Sequence, residues 1–263
     1  MIFVLIILVL GIVLITWMLY EAHRNVVKIE DISLDDFPSG FGRVSLFFIS
    51  DIHRRKIADS ILEQVKTHEV DMIIIGGDLT EKGVPMSKVR ENLENLRRLA
   101  PVYFVWGNND YETDYRELDA LLIDCGIKVL DNTAVSFESE QGDLLFLVGV
   151  DDGATRRDDL KLALLDCEQN AFKILVSHDP RILRKIPDHA NIGLILSGHT
   201  HGGQIRLGRF GPYEVGQIHK KGPFIQLISN GYGTTGVPLR LGARAETHII
   251  NITSSQFSSK TYS

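Results

Sequence analysis

Hydrophobic and polar positions run along this chain in two regimes, preceded by one long apolar stretch. Ile2 to Tyr20 is nearly unbroken Ile, Leu, Val, Phe, Trp and Met, interrupted only by Gly11 and Thr16. No helical period within it carries a polar face, so a buried core helix is a poor fit. Its length is close to the ~20 residues a helix needs to cross a hydrocarbon core. Trp17 and Tyr20 lie at its C-terminal end, where aromatic belts form. A cleavable signal would want a basic leading segment and a small-x-small cleavage site, and neither is present. The pattern predicts a single-pass membrane anchor over residues 1–21. No Lys or Arg precedes it, while Arg24 and Lys28 follow, a bias that favours a cytoplasmic globular part.

Residues 22–42, with Pro38, Gly40 and Gly42, read as a strand-poor linker. Beyond it, apolar runs and helical periods alternate. Val44 to Ser50, Met72 to Ile75 and Val102 to Val105 read as buried strands. Between them, Ile57, Ile61 and Val65, then Val89, Leu93 and Leu96, recur at helical spacing. From Ile127 the pattern turns to strands, at 128–130, 135–137, 144–150, 172–176, 192–196, 224–229 and 248–252, with one helix near Leu160 to Cys167. Alternation in the first half argues for parallel βαβ pairing, and the second half for mixed pairing, in an α/β domain. One globular domain over 43–253 and a disordered polar tail over 254–263 complete the expected layout.

Composition narrows the function. A formal charge of −6 argues against a broad basic surface for nucleic acid, so no nucleic-acid partner is expected. Only Cys125 and Cys167 occur, which suits neither a disulfide framework nor a thiolate metal site.

The chemistry collects at strand ends. Five apolar runs end in residues able to bind metal: Asp51 and His53, Asp78, Asn108, His178, and the pair His199 and His201. In open α/β sheets the carboxyl ends of strands face a common crevice, so groups scattered in sequence can converge there. Any one has an ordinary explanation as a turn or a hydrogen-bonded histidine, but five coincidences strain it. Carboxylate, imidazole and one carboxamide form a mixed N/O set suited to Mn, Fe, Zn or Co. Seven candidate ligands are too many for one tetrahedral ion and suit two divalent ions sharing a carboxylate. Two-metal sites some 3.5–4 Å across clamp a phosphoryl group for in-line displacement.

These blocks, Asp-x-His, Gly-Asp, Gly-Asn-x-Asp, a lone His and Gly-His-Thr-His-Gly-Gly-Gln, resemble in order those of the calcineurin-like metallophosphoesterases, over residues 44–252. The ending Gly231-Tyr232-Gly233-Thr234-Thr235-Gly236-Val237-Pro238-Leu239-Arg240 resembles the membrane-associated phosphodiesterase branch. That branch includes a pyrophosphatase acting on a nucleotide-linked lipid A precursor. The resemblance implies two mixed β-sheets packed as a sandwich flanked by helices. It implies Asp51, His53 and His201 on one ion, Asn108, His178 and His199 on the other, and Asp78 bridging. It further implies hydrolysis of phosphodiester or pyrophosphate bonds by a metal-bridging hydroxide, and Asn109 and Asp110 are the expected catalytic residues. The expected partners are a phosphorylated small molecule or lipid headgroup, and the membrane through the N-terminal helix.

One position departs from the pattern. The family's third block usually has His after the metal-binding Asn, and here Asn109 stands there. A carboxamide donates a hydrogen bond but transfers no proton at neutral pH. The departure predicts a preference for leaving groups that need little protonation. It also leaves a rival: a catalytically weakened, metal-bound sensor or ligand-binding module. Arg206, His219 and Arg240 are the expected substrate contacts. The spacing Gly231-x-Gly233-x-x-Gly236 matches a dinucleotide-binding loop, but Pro238 and Gly242 oppose the helix such a loop requires. A loop bordering the metal site is expected instead.

Overall fold

The computed structural model of the chain describes residues 1–222 and 224–255. The apolar opening forms helix α1, Ile2–Ala22, whose 21 residues span about 30 Å at the α-helical rise. Nearly all of it is exposed; only Met18, Glu21 and Ala22 are buried. It is a candidate membrane span.

Strand β1 (Val27–Leu34) follows, then β2 (Arg43–Ile49), helix α2 (Asp59–Thr67), β3 (Met72–Gly76), α3 (Met86–Arg97), β4 (Val102–Val105), α4 (Tyr115–Asp124) and β5 (Lys128–Val129). The second half runs β6 (Thr133–Glu138), β7 (Leu144–Gly149), α5 (Leu160–Leu165), β8 (Phe172–Val176), β9 (Ile192–Ser197), β10 (Gln217–Lys221), β11 (Phe224–Ile228) and β12 (Thr247–Ser254). They form two six-stranded sheets, ordered β1-β12-β2-β3-β4-β5 and β10-β11-β9-β8-β7-β6. In the first, β2 to β5 are parallel and β12 is antiparallel to β2. In the second, β11, β9, β8 and β7 are parallel, with antiparallel β10 and β6 at the edges. Two mixed sheets with flanking helices are thus the architecture expected from the sequence.

The period-2 geometry of the strands builds the layers. Phe47, Ile49, Ile73 and Ile75 point to α2, α3 and α4, while Leu46, Phe48, Met72 and Ile74 point to the other sheet. There they meet Leu145, Leu147, Ile174, Val176, Leu194 and Leu196. The far face of the second sheet packs Val148, Leu175 and Ile195 against Leu160 and Ala163 of α5. Strands covered on both faces read as continuous apolar runs, which is why these were legible in the sequence.

The stretch expected to be a linker differs. Within 22–42, β1 pairs in parallel with β12 from Val27↔Thr247 to Leu34↔Ser254, so the sheet begins there. Its sequence, Val-Lys-Ile-Glu-Asp-Ile-Ser-Leu, carries the charges of an edge strand and has no apolar run. Edge strand β10, which carries His219, likewise lies outside the strands expected from the apolar runs. The expected tail starts at Ser254, which is the last residue of β12; residues 256–263 lie outside the described residues.

Candidate metal centre

The carboxyl ends of β2, β3, β4, β8 and β9 bring the strand-end residues together. Asp51, His53 and His201 form one buried group, and Asp51, Asp78 and His178 another, with ligand atoms within 4.8 Å of one another in each. His201 Nε2 lies 3.1 Å from His53 Nε2 and 3.3 Å from Asp51 Oδ1. Asp78 Oδ2 lies 3.2 Å from His178 Nε2 and 3.7 Å from His53 Nε2. Asp51 belongs to both groups. His199 stands at the rim, half-buried, its ring 5.0 Å from that of His178.

The segments after β2, β3 and β9 turn abruptly to reach this place. Asp51, His53, Asp78, His199 and His201 all have positive φ, between 49° and 72°, as do only five other non-glycine residues among those described. A left-handed backbone at a residue with a side chain stores strain that the surroundings must hold, and such residues cluster at functional sites. His199 and His201 therefore do not continue an extended strand. β9 has already ended, and the rings part, His201 to His53 and His199 to His178.

Close backbone approach completes the cradle. A Cβ at Gly198 would stand 2.4 Å from Asp51 Oδ2, and one at Gly107 would stand 2.3 Å from Asp78 Oδ1. Neither position has room for a side chain.

The donor atoms fit divalent cations. His178 Nδ1 lies 2.8 Å from the Gly76 carbonyl, which can only accept, so Nδ1 carries the proton and Nε2 presents its lone pair. That Nε2 is buried without a hydrogen bond, and so is Asn108 Oδ1. Unpartnered buried polar atoms are rare and call for an ion or water. Electrostatics agree. Burial opposes charge on His178, yet Asp78 and Asp51 push it up to about 10, so the field there favours a cation. Burial alone would raise Asp78, but His178, His53 and the Asn109 amide hold it well below the carboxylate range. Burial and the neighbouring His53 and Arg240 push His201 down to about 3 against the pull of Asp51, keeping it in the neutral form that ligates.

Several roles came out otherwise than the sequence suggested. Asn109 lies in the cleft, but its main-chain N–H donates to Asp78 Oδ1 at 2.8 Å and its side-chain amide to Oδ2 at 2.7 Å. Asp110 is fully buried and accepts the N–H groups of Thr80 and Gly107, so it shapes two loops and does not face a substrate. Burial and neighbouring Asp78 raise it to about 7. Arg240 is fully buried, donating to the carbonyls of Asn230, Gly231, Gly233, His201 and Ala243, with its guanidinium 3.1 Å from His201 Nδ1. Arg206 is buried on the carbonyls of Gly202, Arg209 and Tyr213. Both were expected at the substrate and instead pin the loops. His219 sits on edge strand β10, 3.7 Å from Glu214, and does not line the cleft.

Glu81 escaped the sequence reading. Its Oε2 lies 3.1 Å from His53 Nδ1 while Arg54 holds its other oxygen, the carboxylate–imidazole arrangement that orients a ligating histidine. Its signal is faint: an acid three residues after Asp78. The 231–242 stretch is a loop against the site, as expected: Gly233 N donates to the Asp51 carbonyl and Tyr232 N to that of Ser50.

A profile of the calcineurin-like phosphoesterase family matches residues 44–203. The chain belongs to that family, and it is a hydrolase of phosphoester bonds. It is 46% identical over 80% of its length to uncharacterized protein YpbG of Bacillus subtilis (strain 168), covering 81% of that protein. It is 31% identical over 87% of its length to a Bos taurus transmembrane protein with metallophosphoesterase domain, of which it spans 57%. Among solved structures, phosphopantetheinyl hydrolase from Mycobacterium tuberculosis superposes with a TM-score of 0.49 and 13% identity, covering 75% of this chain and 91% of that one.

Proposed function

We propose that this chain is a membrane-anchored phosphodiesterase or pyrophosphatase working with two divalent cations, of Mn, Fe, Zn or Co type. The observation that carries the reading is the convergence of four strand ends on two buried ligand groups that share Asp51, with Asn108 from a fifth lining the same cleft. One ion would rest on Asp51, His53 and His201. The other would rest on Asp78, His178, Asn108 and His199. Bound there, the ions would supply a nucleophilic hydroxide at neutral pH and take up charge on the phosphoryl oxygens.

The protein's own part is orientation. Glu81 aims His53, the Gly76 carbonyl aims His178, and Asn109 fixes both oxygens of Asp78. The cleft beyond is lined by Asn109, Glu112, His199, Gln204, Pro212, Tyr213 and Thr235, a polar rim open enough for a phosphorylated headgroup or nucleotide. With Asn109 holding Asp78, no histidine stands at its place to protonate a leaving group, so the favoured substrates leave as stable anions. The globular part lies on the cytoplasmic face by the charge bias of Arg24 and Lys28.

The test is hydrolysis of bis(4-nitrophenyl) phosphate and of nucleotide diphosphate esters by the full chain in detergent with Mn²⁺. Activity that disappears in Asp78→Asn supports the reading. Inactivity with every metal, unrelieved by Asn109→His, overturns it in favour of a metal-bound sensor.

A further inference from the structure

Beyond α1, several large apolar side chains stand in solvent within one loop, residues 204–215. Leu207 and Phe210 are 74% and 77% exposed, with Ile205, Tyr213 and Val215 beside them in sequence and Val237 in the loop they bond to. Single exposed apolar residues need no explanation, but a cluster of them marks an interaction surface. The exposure is built into the loop. Arg206 turns inward and is 6% exposed, donating to the carbonyls of Gly202, Arg209 and Tyr213. Leu207 and Phe210 exchange backbone hydrogen bonds of 2.9 and 3.1 Å, closing a tight tip around Gly208 and Arg209. Arg206 goes in while the apolar residues go out beside the exposed Arg209 and Glu214.

The position of this loop says what covers it. Arg206 N donates to the Leu241 carbonyl and Leu241 N to that of Gln204, while Gln204 also bonds the carbonyls of Thr235 and Val237. The partner loop is fastened to α1: Arg240 N donates to the Met18 carbonyl, and Glu21 takes Gly242 N and pairs with Arg244. Val215 and Trp17 line one cavity. Met18 lies four residues inside the helix end, about 6 Å along its axis. The domain therefore reaches the level of Trp17 and Tyr20, where an interfacial belt would lie.

We propose that loop 204–215, led by Leu207, Phe210 and Tyr213, seats in the interface of the bilayer that α1 enters. The cleft of the metal site, whose rim includes Gln204, Pro212 and Tyr213, then opens against lipid headgroups. Arg209, exposed between Gly208 and Phe210, meets headgroup phosphates. The substrate class is a phosphodiester on a lipid headgroup, presented from the leaflet. That last step rests on the hydrolase reading above; the seating of the loop does not.

Depth measurement tests the seating. The full chain carrying Phe210→Trp is reconstituted in phosphatidylcholine–phosphatidylglycerol vesicles, with Leu207→Trp as an independent reporter. Against the parent chain, which carries Trp17 and Trp106, lipids brominated on the acyl chains should quench the added emission by about half or more. Emission that stays red and unquenched overturns the proposal. Emission that is blue yet unquenched overturns it too, because another protein surface then covers the loop. The substrate class is read from a 4-nitrophenyl phosphodiester of diacylglycerol in the same vesicles, compared with the soluble glycerol analogue. The embedded ester should react at least about tenfold faster, and Leu207→Asp with Phe210→Asp should abolish that preference while sparing the soluble ester. Equal rates on both esters in the parent chain overturn the lipid substrate class. Failure on both esters counts against the hydrolase reading, and the depth result is unaffected.

Discussion

Asn109 grips Asp78 at both ends: its backbone N–H meets Oδ1 at 2.8 Å and its side-chain amide meets Oδ2 at 2.7 Å. The residue that departs from the family's block is thus the one that orients a central carboxylate. Asn109→Ala should lower metal affinity about 10–100-fold, the usual cost of losing an outer partner of a ligand. Activity titrated against free Mn²⁺ measures it, and an unchanged midpoint would show that Asp78 is held by other means.

The same position bears on leaving groups. Loss of a general acid costs about 10²–10⁴ in rate, more for a poor leaving group. The native chain should hydrolyse aryl or nucleotide-linked diesters far faster than simple alkyl diesters. Asn109→His should narrow that gap, read as the slope of log kcat against leaving-group pKa. Equal rates on alkyl and aryl esters in the native chain would contradict the idea.

A second buried cluster predicts a pH dependence of stability. Glu246 receives Lys28 Nζ at 2.6 Å and Asn230 N at 2.9 Å, and lies 3.6 Å from His248 Nε2. Burial would raise it, but His248 and Lys28 hold it down at about 2, from an ordinary 4.5. Burial would lower His248, but Glu246 and Glu30 raise it above its ordinary 6.5, with Lys28 opposing. The depressed carboxyl contributes fully above 4.5 and loses its contribution as pH falls through about 2. The raised imidazole contributes fully below 6.5 and loses its contribution as pH climbs through its folded value. The stability gap between the native chain and His248→Gln should therefore be widest between about pH 4.5 and 6.5, and close at higher pH. Urea melts in detergent across that range provide the check; a gap that widens with rising pH would refute the assignment.

Arg240 is the keystone of the loops. It is fully buried, its pKa pushed down to about 10 by burial, and its guanidinium fork serves carbonyls on three segments and His201. Lys cannot reproduce a planar fork, and each abandoned buried carbonyl carries a desolvation penalty. Arg240→Lys should cost roughly 2–4 kcal/mol of stability. Near-native melting of Arg240→Lys would mean that charge alone suffices.

Hydrophobic pattern marked most of the core strands and helices, and the resemblance of the strand-end motifs supplied their arrangement in two sheets. Runs such as Leu46–Ile49 and Ile73–Ile75 are covered on both faces, so burial erased their alternation and left an unmistakable signature. The ligands were legible for a related reason: they stand where such runs stop, and strand ends in a parallel sheet share a crevice. Edge strand β1 was not, because a strand paired on one side carries the charges of a surface. Tertiary structure alone decided what polar residues at the site do. Arg206 and Arg240 carry the charge that a phosphate would want, yet lie buried under carbonyls that only chain crossings 202–243 create. Asn109, Asp110 and Glu81 have roles set by contacts with residues 3 to 31 positions away, which no local pattern encodes. Sequence determines which surfaces must be buried; the direction in which a buried donor points depends on where distant backbone comes to lie.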